Sequence, residues 1–370
     1  YRFESAMAKK RILLIEPYYG GSHKRFLDGL MSNLEGNFTL LSLPARKWKM
    51  RMQLAAPWFI TQLSNLPVAG RTFDVVLFSS FLDVAVFKAM TSGLQGWSRE
   101  CRYLTYFHEN QFCYPGVLGK HTTHQFTSIN FTTALVSDSI AFNSEFNRTS
   151  FLHHCSTYLL KATDMDLSTR VEELGSKSIV LYPGLDFALL DGGERRPTAG
   201  EIKTIVWNHR WEHDKNPEEF FDALYRLQEN GVDFRLCVLG QQFKNTPACF
   251  GEARRRLSGK IVQWGHVEEV ESYFRQLSSG DIVVSTANHE FFGISVIEAV
   301  RAGCVPVLPN RLSYPELFEK RYLYEPGNLF EHLLRVVKAE ERLSADRSKN
   351  MTEQYSWESL GDDYRNWLIN

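Results

Sequence analysis

The sequence predicts an α/β protein of two Rossmann-like domains facing each other across a cleft, and three observations predict it. The chain's 370 residues exceed what one hydrophobic core usually serves. Short apolar strand candidates alternate with helical patterns through nearly the whole length, which is the rhythm of parallel sheets with crossover helices. A turn-rich stretch without apolar periodicity, Asp191-Gly192-Gly193-Glu194-Arg195-Arg196-Pro197-Thr198-Ala199-Gly200, divides the strands into two series and reads as the linker.

The first series of strands falls at 11–16, 38–43, 75–79, 103–107, 139–142 and 179–181, with helical segments at 23–34, 125–136 and 144–154 between them. The second falls at 204–207, 234–239, 260–263, 281–285 and 305–308. Domains are therefore expected at 7–190 and 201–355, with a last helix at 356–370. Tyr1 to Ala6 read as an appended remnant ahead of a natural start at Met7 and are left out of the fold expectation. No internal repeat or low-complexity tract interrupts the pattern.

With 44% apolar and 23% charged residues the composition is that of an ordinary globular protein. A formal net charge of -1 means that a nucleic-acid partner must be held by a local basic patch. No apolar stretch approaches the ~20 residues of a membrane span, and Ile12-Leu13-Leu14-Ile15 is too short for a signal peptide. An intracellular, cytoplasmic protein without a membrane partner is expected. The six cysteines lack C-x-x-C spacing, which argues against a zinc site or a disulfide framework, and Cys237 and Cys304 read as core thiols.

Chemistry concentrates at strand ends. Asp281-Ile282-Val283-Val284-Ser285 reads as a buried strand and Gly293 as the start of a helix, whose free N–H groups and positive dipole end suit a pyrophosphate. Glu298 lies about five residues into that helix, roughly 7 to 8 Å along it at ~1.5 Å per residue, a gap that a ribose fits. Glu290 stays on the loop at the mouth of the crevice. A plainer reading makes Glu290 a helix cap and Glu298 a solvated charge. Earlier, Thr204-Ile205-Val206-Trp207 leads into a polar loop with Arg210 and Lys215, and Pro217 starts the next helix. Guanidinium and ammonium together neutralise a diphosphate, although each alone could be a surface charge.

The N-terminal half offers further candidates. Gly20 and Gly21 follow the first strand and let backbone come close to a ligand, or simply make a tight turn. Ser22 and His23 extend that polar lining or cap the helix. His108, Glu109 and Asn110 stand at the end of the fourth strand, where loops carry function. Ser144 suits an N-cap with Asn147 in the first turn. Arg46, Lys47, Lys49 and Arg51 around Trp48 form the most basic stretch, suited to phosphate backbone and a stacked base, or to a solvated helix face.

The spacing from Glu290 to Glu298 resembles the E-x7-E signature of retaining glycosyltransferases of the GT-B fold, family 4 in particular, and Arg210 with Lys215 resembles their R-x4-K element. The resemblance implies that Glu298 holds the donor ribose, that Glu290 and His108 face the sugar, and that Arg210 and Lys215 stabilise the leaving diphosphate. It also implies that Gly20 and Gly21 approach the donor, that Phe292, Gly293 and Ile294 meet its phosphates, and that His266 and Val267 meet its base. The segment 357–368 looks like the closing helix that returns to the N-terminal domain in this fold.

Four segments are more specific: Glu16-Pro17-Tyr18-Tyr19-Gly20-Gly21-Ser22-His23, Leu43-Pro44-Ala45-Arg46-Lys47-Trp48, Phe107-His108-Glu109-Asn110-Gln111 and Tyr314-Pro315-Glu316-Leu317. Together they resemble the tRNA-queuosine α-mannosyltransferase family. That likeness covers both domains and implies transfer of mannose from GDP-mannose to the cyclopentenediol of queuosine in the anticodon of an aspartate tRNA. It assigns Ser22, His23, Arg46, Lys47, Trp48, Lys49, Arg51, Glu109 and Asn110 to the acceptor. Front-face substitution, in which the leaving diphosphate helps deprotonate the acceptor, is favoured over double displacement through Glu109 or Glu290. Another sugar, a saccharide or glycolipid acceptor, or a non-catalytic binding protein are the alternatives. The segment 116–125 has no counterpart in the family; His121 and His124 within it lack a third ligand, and no metal or other cofactor is expected.

Overall fold

The computed structural model describes residues 9–113, 120–192, 202–339 and 342–369, with 120–123 described by backbone alone. Most of the expected linker and residues 116–119 lie outside the described residues, as does the side chain of His121. The chain forms two units. One runs to Leu185 and takes in the chain again from Trp357, and the other runs from Asp186 to Ser356.

The first unit is built on strands β1 (Arg11–Tyr19), β2 (Asn37–Pro44), β3 (Val75–Ser79), β4 (Arg102–Phe107), β5 (Ser139–Phe142) and β6 (Ser178–Val180). They form one parallel sheet in the order β2-β1-β3-β4-β5-β6. Ile12, Leu13, Leu14 and Ile15 are all buried, as a strand covered on both faces requires. The chain leaves β1 for β2 on one side and returns to β3 on the other, so the carboxyl ends of β1 and β3 flank the point where strand order reverses. In open α/β sheets ligands bind at that point.

The helix Trp357–Ile369 packs into the same unit. Leu360, Tyr364, Trp367 and Leu368 are buried with Phe26, Leu30 and Tyr106 in one apolar cluster. Two polar tips fix the register, since the Tyr364 hydroxyl donates to the Tyr182 carbonyl at 2.8 Å and Trp367 Nε1 donates to Ser139 Oγ at 2.9 Å. This is the returning helix expected of the GT-B fold.

The second unit holds β7 (Thr204–Asn208), β8 (Arg235–Leu239), β9 (Ile261–Gly265), β10 (Ile282–Val284), β11 (Val305–Pro309) and β12 (Leu323–Tyr324), ordered β12-β11-β10-β7-β8-β9. Its reversal point lies between β7 and β10, which pair in parallel. The two-residue β12 carries too little pattern to be read from sequence. Residues from Asp186, expected in the first domain, cluster here because Arg301 binds Asp191 at 2.6 Å and Glu353 at 2.8 Å. Cys237 and Cys304 are fully buried, as expected of core thiols.

Candidate active site

Each unit gathers polar side chains at its reversal point. In the second, the loop after β7 supplies Arg210 and, on a short 3-10 turn, Lys215; Asn216 adopts a left-handed conformation that lets Pro217 open the helix Pro217–Glu229. The loop after β10 supplies His289 and Glu290. The two loops meet. Lys215 is buried and its Nζ donates to the His289 carbonyl at 2.6 Å, with Glu290 Oε2 and Asp214 Oδ2 each 3.3 Å away. Glu290 Oε1 accepts from the amides of Phe291 and Phe292 at 3.1 and 3.4 Å. Burial works against its charge, but the Lys215 ammonium, the His209 ring and the Phe292 amide pull the carboxyl from 4.5 down to about 2.

Arg210 is placed differently from Lys215. Its side chain is half exposed and lies 3.2 Å from Glu212. Gly293 has φ 99° at the start of the helix Ile294–Arg301, and a Cβ there would come within 3.2 Å of the Tyr314 ring. Glycine therefore fits a left-handed turn at the head of a helix whose N-terminal end favours an anion. Glu298 is buried and accepts from the Tyr273 hydroxyl at 3.1 Å; Asn208 donates to that hydroxyl at 3.2 Å and to the Ser295 carbonyl at 2.7 Å. Tyr273 and Asn208 were not among the residues expected from sequence. Neither was His209, which is buried beside Lys215 and Glu290 with Nε2 lacking a partner among the described residues. Burial, then the Lys215 charge, lowers its pKa to about 4, so the ring is neutral near pH 7. His266 and Val267 follow β9, the first exposed and the second half-buried.

In the first unit the reversal point carries Glu16 from β1, His23 from the helix Gly21–Asn33, and His108 and Glu109 from the end of β4. His23 Nδ1 lies 3.0 Å from Glu16 Oε2 and its Nε2 lies 3.5 Å from Glu109 Oε2. Its ring stacks on Phe81, 5.2 Å between centroids, and packs against the tilted His108 ring at 4.1 Å. Burial alone would keep His23 neutral; the carboxylates of Glu16 and Glu109 overcome it and raise the pKa to about 10. Burial and the His23 charge push His108 well below its ordinary value. One imidazolium and one neutral imidazole thus lie in contact, their rings tilted by 33°. Glu16, His23 and His108 bring ligand atoms within 4.8 Å of one another, a grouping that a metal ion could use. Both His23 nitrogens face carboxylates, however, so the donor set fits a protonated ring better than a coordinated one.

Other expected acceptor residues divide. Gly20 is required, because a Cβ there would sit 2.4 Å from that of Ala45. Gly21 and Ser22 are exposed at the helix start, and Ser22 caps nothing. Asn110 is fully buried, its amide donating to Asn147 Oδ1 at 2.8 Å and accepting from the Phe112 amide at 3.1 Å, so it braces the loop instead of facing a ligand. Ser144 caps its helix through the Asn147 amide, as expected. Arg46, Lys47 and Lys49 are exposed and Arg51 is half-buried, around the start of the helix Trp48–Ser64, whose first turn holds no acid. Trp48 is half-buried against Phe81 and Phe126, at 5.8 and 5.2 Å. A base would meet only what that packing leaves open.

Comparison with known proteins bears on this geometry. Residues 11–185 match the model of the tRNA-queuosine alpha-mannosyltransferase N-terminal region, and residues 195–354 match that of the glycosyl transferases group 1. The tRNA-queuosine alpha-mannosyltransferase of Drosophila melanogaster is 37% identical over 335 residues, 87% of this chain and 85% of that one. The GDP-mannose:cellobiosyl-diphosphopolyprenol alpha-mannosyltransferase of Xanthomonas campestris is 27% identical over 166 residues, 44% of this chain and 42% of its own. Among solved structures, sucrose-phosphate synthase from Thermosynechococcus elongatus superposes with a TM-score of 0.68 at 12% identity, covering 97% of this chain and 99% of that one. A lipopolysaccharide outer core galactosyltransferase does so at 0.63 and 13%, covering 96% and 98%. Those two likenesses establish the GT-B fold, while the match at both domains and the identity to the fly protein establish more: this chain belongs to the tRNA-queuosine α-mannosyltransferase family.

Proposed function

We propose that the protein transfers mannose from GDP-mannose, with retention, to the cyclopentenediol of queuosine at the wobble position of aspartate tRNA, in the cytoplasm and without a metal. The observation that carries the transferase reading is the convergence of two loops at the β7/β10 reversal point, which sets Lys215 against Glu290. On this reading Arg210 meets the diphosphate and the amides opening the helix at Ile294 hold its phosphates. Glu298, steadied by Tyr273, takes the ribose hydroxyls. Glu290, kept anionic by Lys215, accepts hydrogen bonds from sugar hydroxyls. Lys215 acts mainly through Glu290, since it is already surrounded by acceptors.

The donor assignment draws support from both named relatives, one of which carries GDP-mannose in its name. The acceptor assignment draws support from the N-terminal match and from the basic first turn of the helix Trp48–Ser64, where cations oppose the helix dipole and an incoming phosphate would relieve the conflict. No helix among the described residues is long and apolar enough to cross a membrane.

Incubation with total tRNA and GDP-mannose, followed by mass analysis of released nucleosides, tests the reading. A gain of one hexose on queuosine is expected. GDP release without that gain would move the acceptor elsewhere, and neither product would remove the enzymatic reading.

A further inference from the structure

Glu16 is buried to 1% exposure and every described partner of its carboxylate is protein: Oε1 accepts from the Tyr18 amide at 2.8 Å and Ser79 Oγ at 3.0 Å, while Oε2 faces His23. It is closed to any substrate. Glu109, at the other end of the line, retains 18% of its side-chain exposure. Its Oε1 accepts from Ser80 Oγ at 3.3 Å and its Oε2 faces His23 Nε2. A carboxylate offers about four lone-pair sites, and among the described residues two are occupied. The remaining two suit the paired hydroxyls of a vicinal diol. The position is also right, at the reversal point of the first sheet.

We propose that Glu109 is the subsite for the acceptor's vicinal diol and that Glu16 and His23 are positioning residues, His23 bridging a buried carboxylate to an accessible one so that Glu109 is held in a single orientation. The inference rests on the transferase reading above and deepens it. His23 is held in place, because its ring packs against both Phe81 and His108 and is buried. The titratable groups facing it are Glu16 and Tyr18 from β1 and His108 and Glu109 from the end of β4. The two carboxylates keep it protonated through the physiological range, so the strut does not switch off near neutral pH. A general-base role for His23 is correspondingly ruled out by its own geometry: neither nitrogen faces away from a carboxylate.

The test compares Glu109→Gln, Glu16→Gln and Ser80→Ala with the wild type, using queuosine-containing tRNA and GDP-mannose. Transfer by the wild type is measured first, and its absence overturns the transferase reading and this inference together. With transfer established, Glu109→Gln is expected to lower kcat/KM for tRNA by about 10- to 100-fold, the range for lost charged hydrogen bonds, while GDP affinity is unchanged. Glu16→Gln removes one of the two carboxylates that hold the His23 proton, so its transfer should fall as pH rises through neutrality and recover as pH is lowered, a limb that the wild type lacks in that range. A merely structural role for Glu16 would lower activity equally at every pH. Ser80→Ala, which leaves the strut intact and removes the second anchor of Glu109, should cost a few-fold in kcat/KM with no new pH limb. Wild-type kinetics in Glu109→Gln, or a pH-independent loss in a folded Glu16→Gln, would overturn the inference and leave the transferase reading standing. So would activity lost to a chelator and restored by a divalent metal, because the cluster would then be a metal site.

Discussion

Glu290 shows most directly how a tertiary contact sets a side chain's chemistry. Its carboxyl is held at about 2 in the fold against an ordinary 4.5, so the groups that keep it ionised, Lys215 first, contribute stability that is present above about pH 4.5 and is lost as pH falls toward 2. The difference amounts to about 3 kcal/mol, at 1.36 kcal/mol per unit. Glu290→Gln should therefore flatten the acid limb for the unit that carries it: between pH 5 and 2 the wild type should lose about 3 kcal/mol more than the variant, as read from unfolding midpoints across that range. Parallel acid limbs would mean that Lys215 does not hold the carboxylate. Spacing singled out Glu290 with Glu298 and Arg210 with Lys215 as candidates because each pair stands close together along the chain. It could not reveal Glu16, Asn208, His209 or Tyr273, each of which meets a partner remote in sequence. The burial of Asn110 was hidden for the same reason, since the amide it meets sits on the helix Glu145–Leu159, at Asn147.

At the scale of elements, the decisive feature is how the helix Ile294–Arg301 begins. Gly293 takes φ 99°, which non-glycine residues adopt at a cost of about 1–2 kcal/mol, and its Cα hydrogen occupies the space beside Tyr314. Tyr314 is itself pinned by Ser285 Oγ at 2.7 Å. Gly293→Ala must then either strain the turn or push Tyr314, and both move the start of the helix. GDP affinity measured by calorimetry should fall by about tenfold for each 1.4 kcal/mol so diverted, with tRNA affinity unchanged. Undiminished GDP binding would separate this helix from the phosphates. Strands were legible because each buried strand is a short apolar run, with ends within a residue or two of expectation except β1, which continues through Tyr18 and Tyr19. The helix Trp48–Ser64 was harder to read. Buried Met52, Ala55, Ala56, Phe59 and Leu63 alternate with exposed Met50, Leu54 and Trp58, and Pro57 sits inside, so neither pattern nor propensity marks it cleanly.

For the whole molecule, charge decides how RNA can be held. A net charge of -1 gives no general attraction to a polyanion, so binding must depend on where the cations stand. Arg46, Lys47, Lys49 and Arg51 stand together at a helix start with no acid in its first turn. The division into two units was legible because strand runs fall into two series. The transition at Leu185 was not, because Asp191 pairs with Arg301 across a separation that no local pattern encodes. The same locality makes the RNA prediction sharp. Lys47→Ala with Lys49→Ala touches two exposed side chains outside either cluster of catalytic candidates, so GDP affinity and folding should be unchanged. The affinity for tRNA should drop, and the slope of log K against log salt should become shallower by roughly 0.7 to 0.9 for each phosphate that the variant leaves unneutralised. A weakened affinity with an unaltered slope would mean that the two lysines shape the surface without touching phosphate. An unaltered affinity would move the RNA path to another face of the chain, and the apolar packing of Trp48 against Phe81 and Phe126 would then be reason enough for that segment's composition.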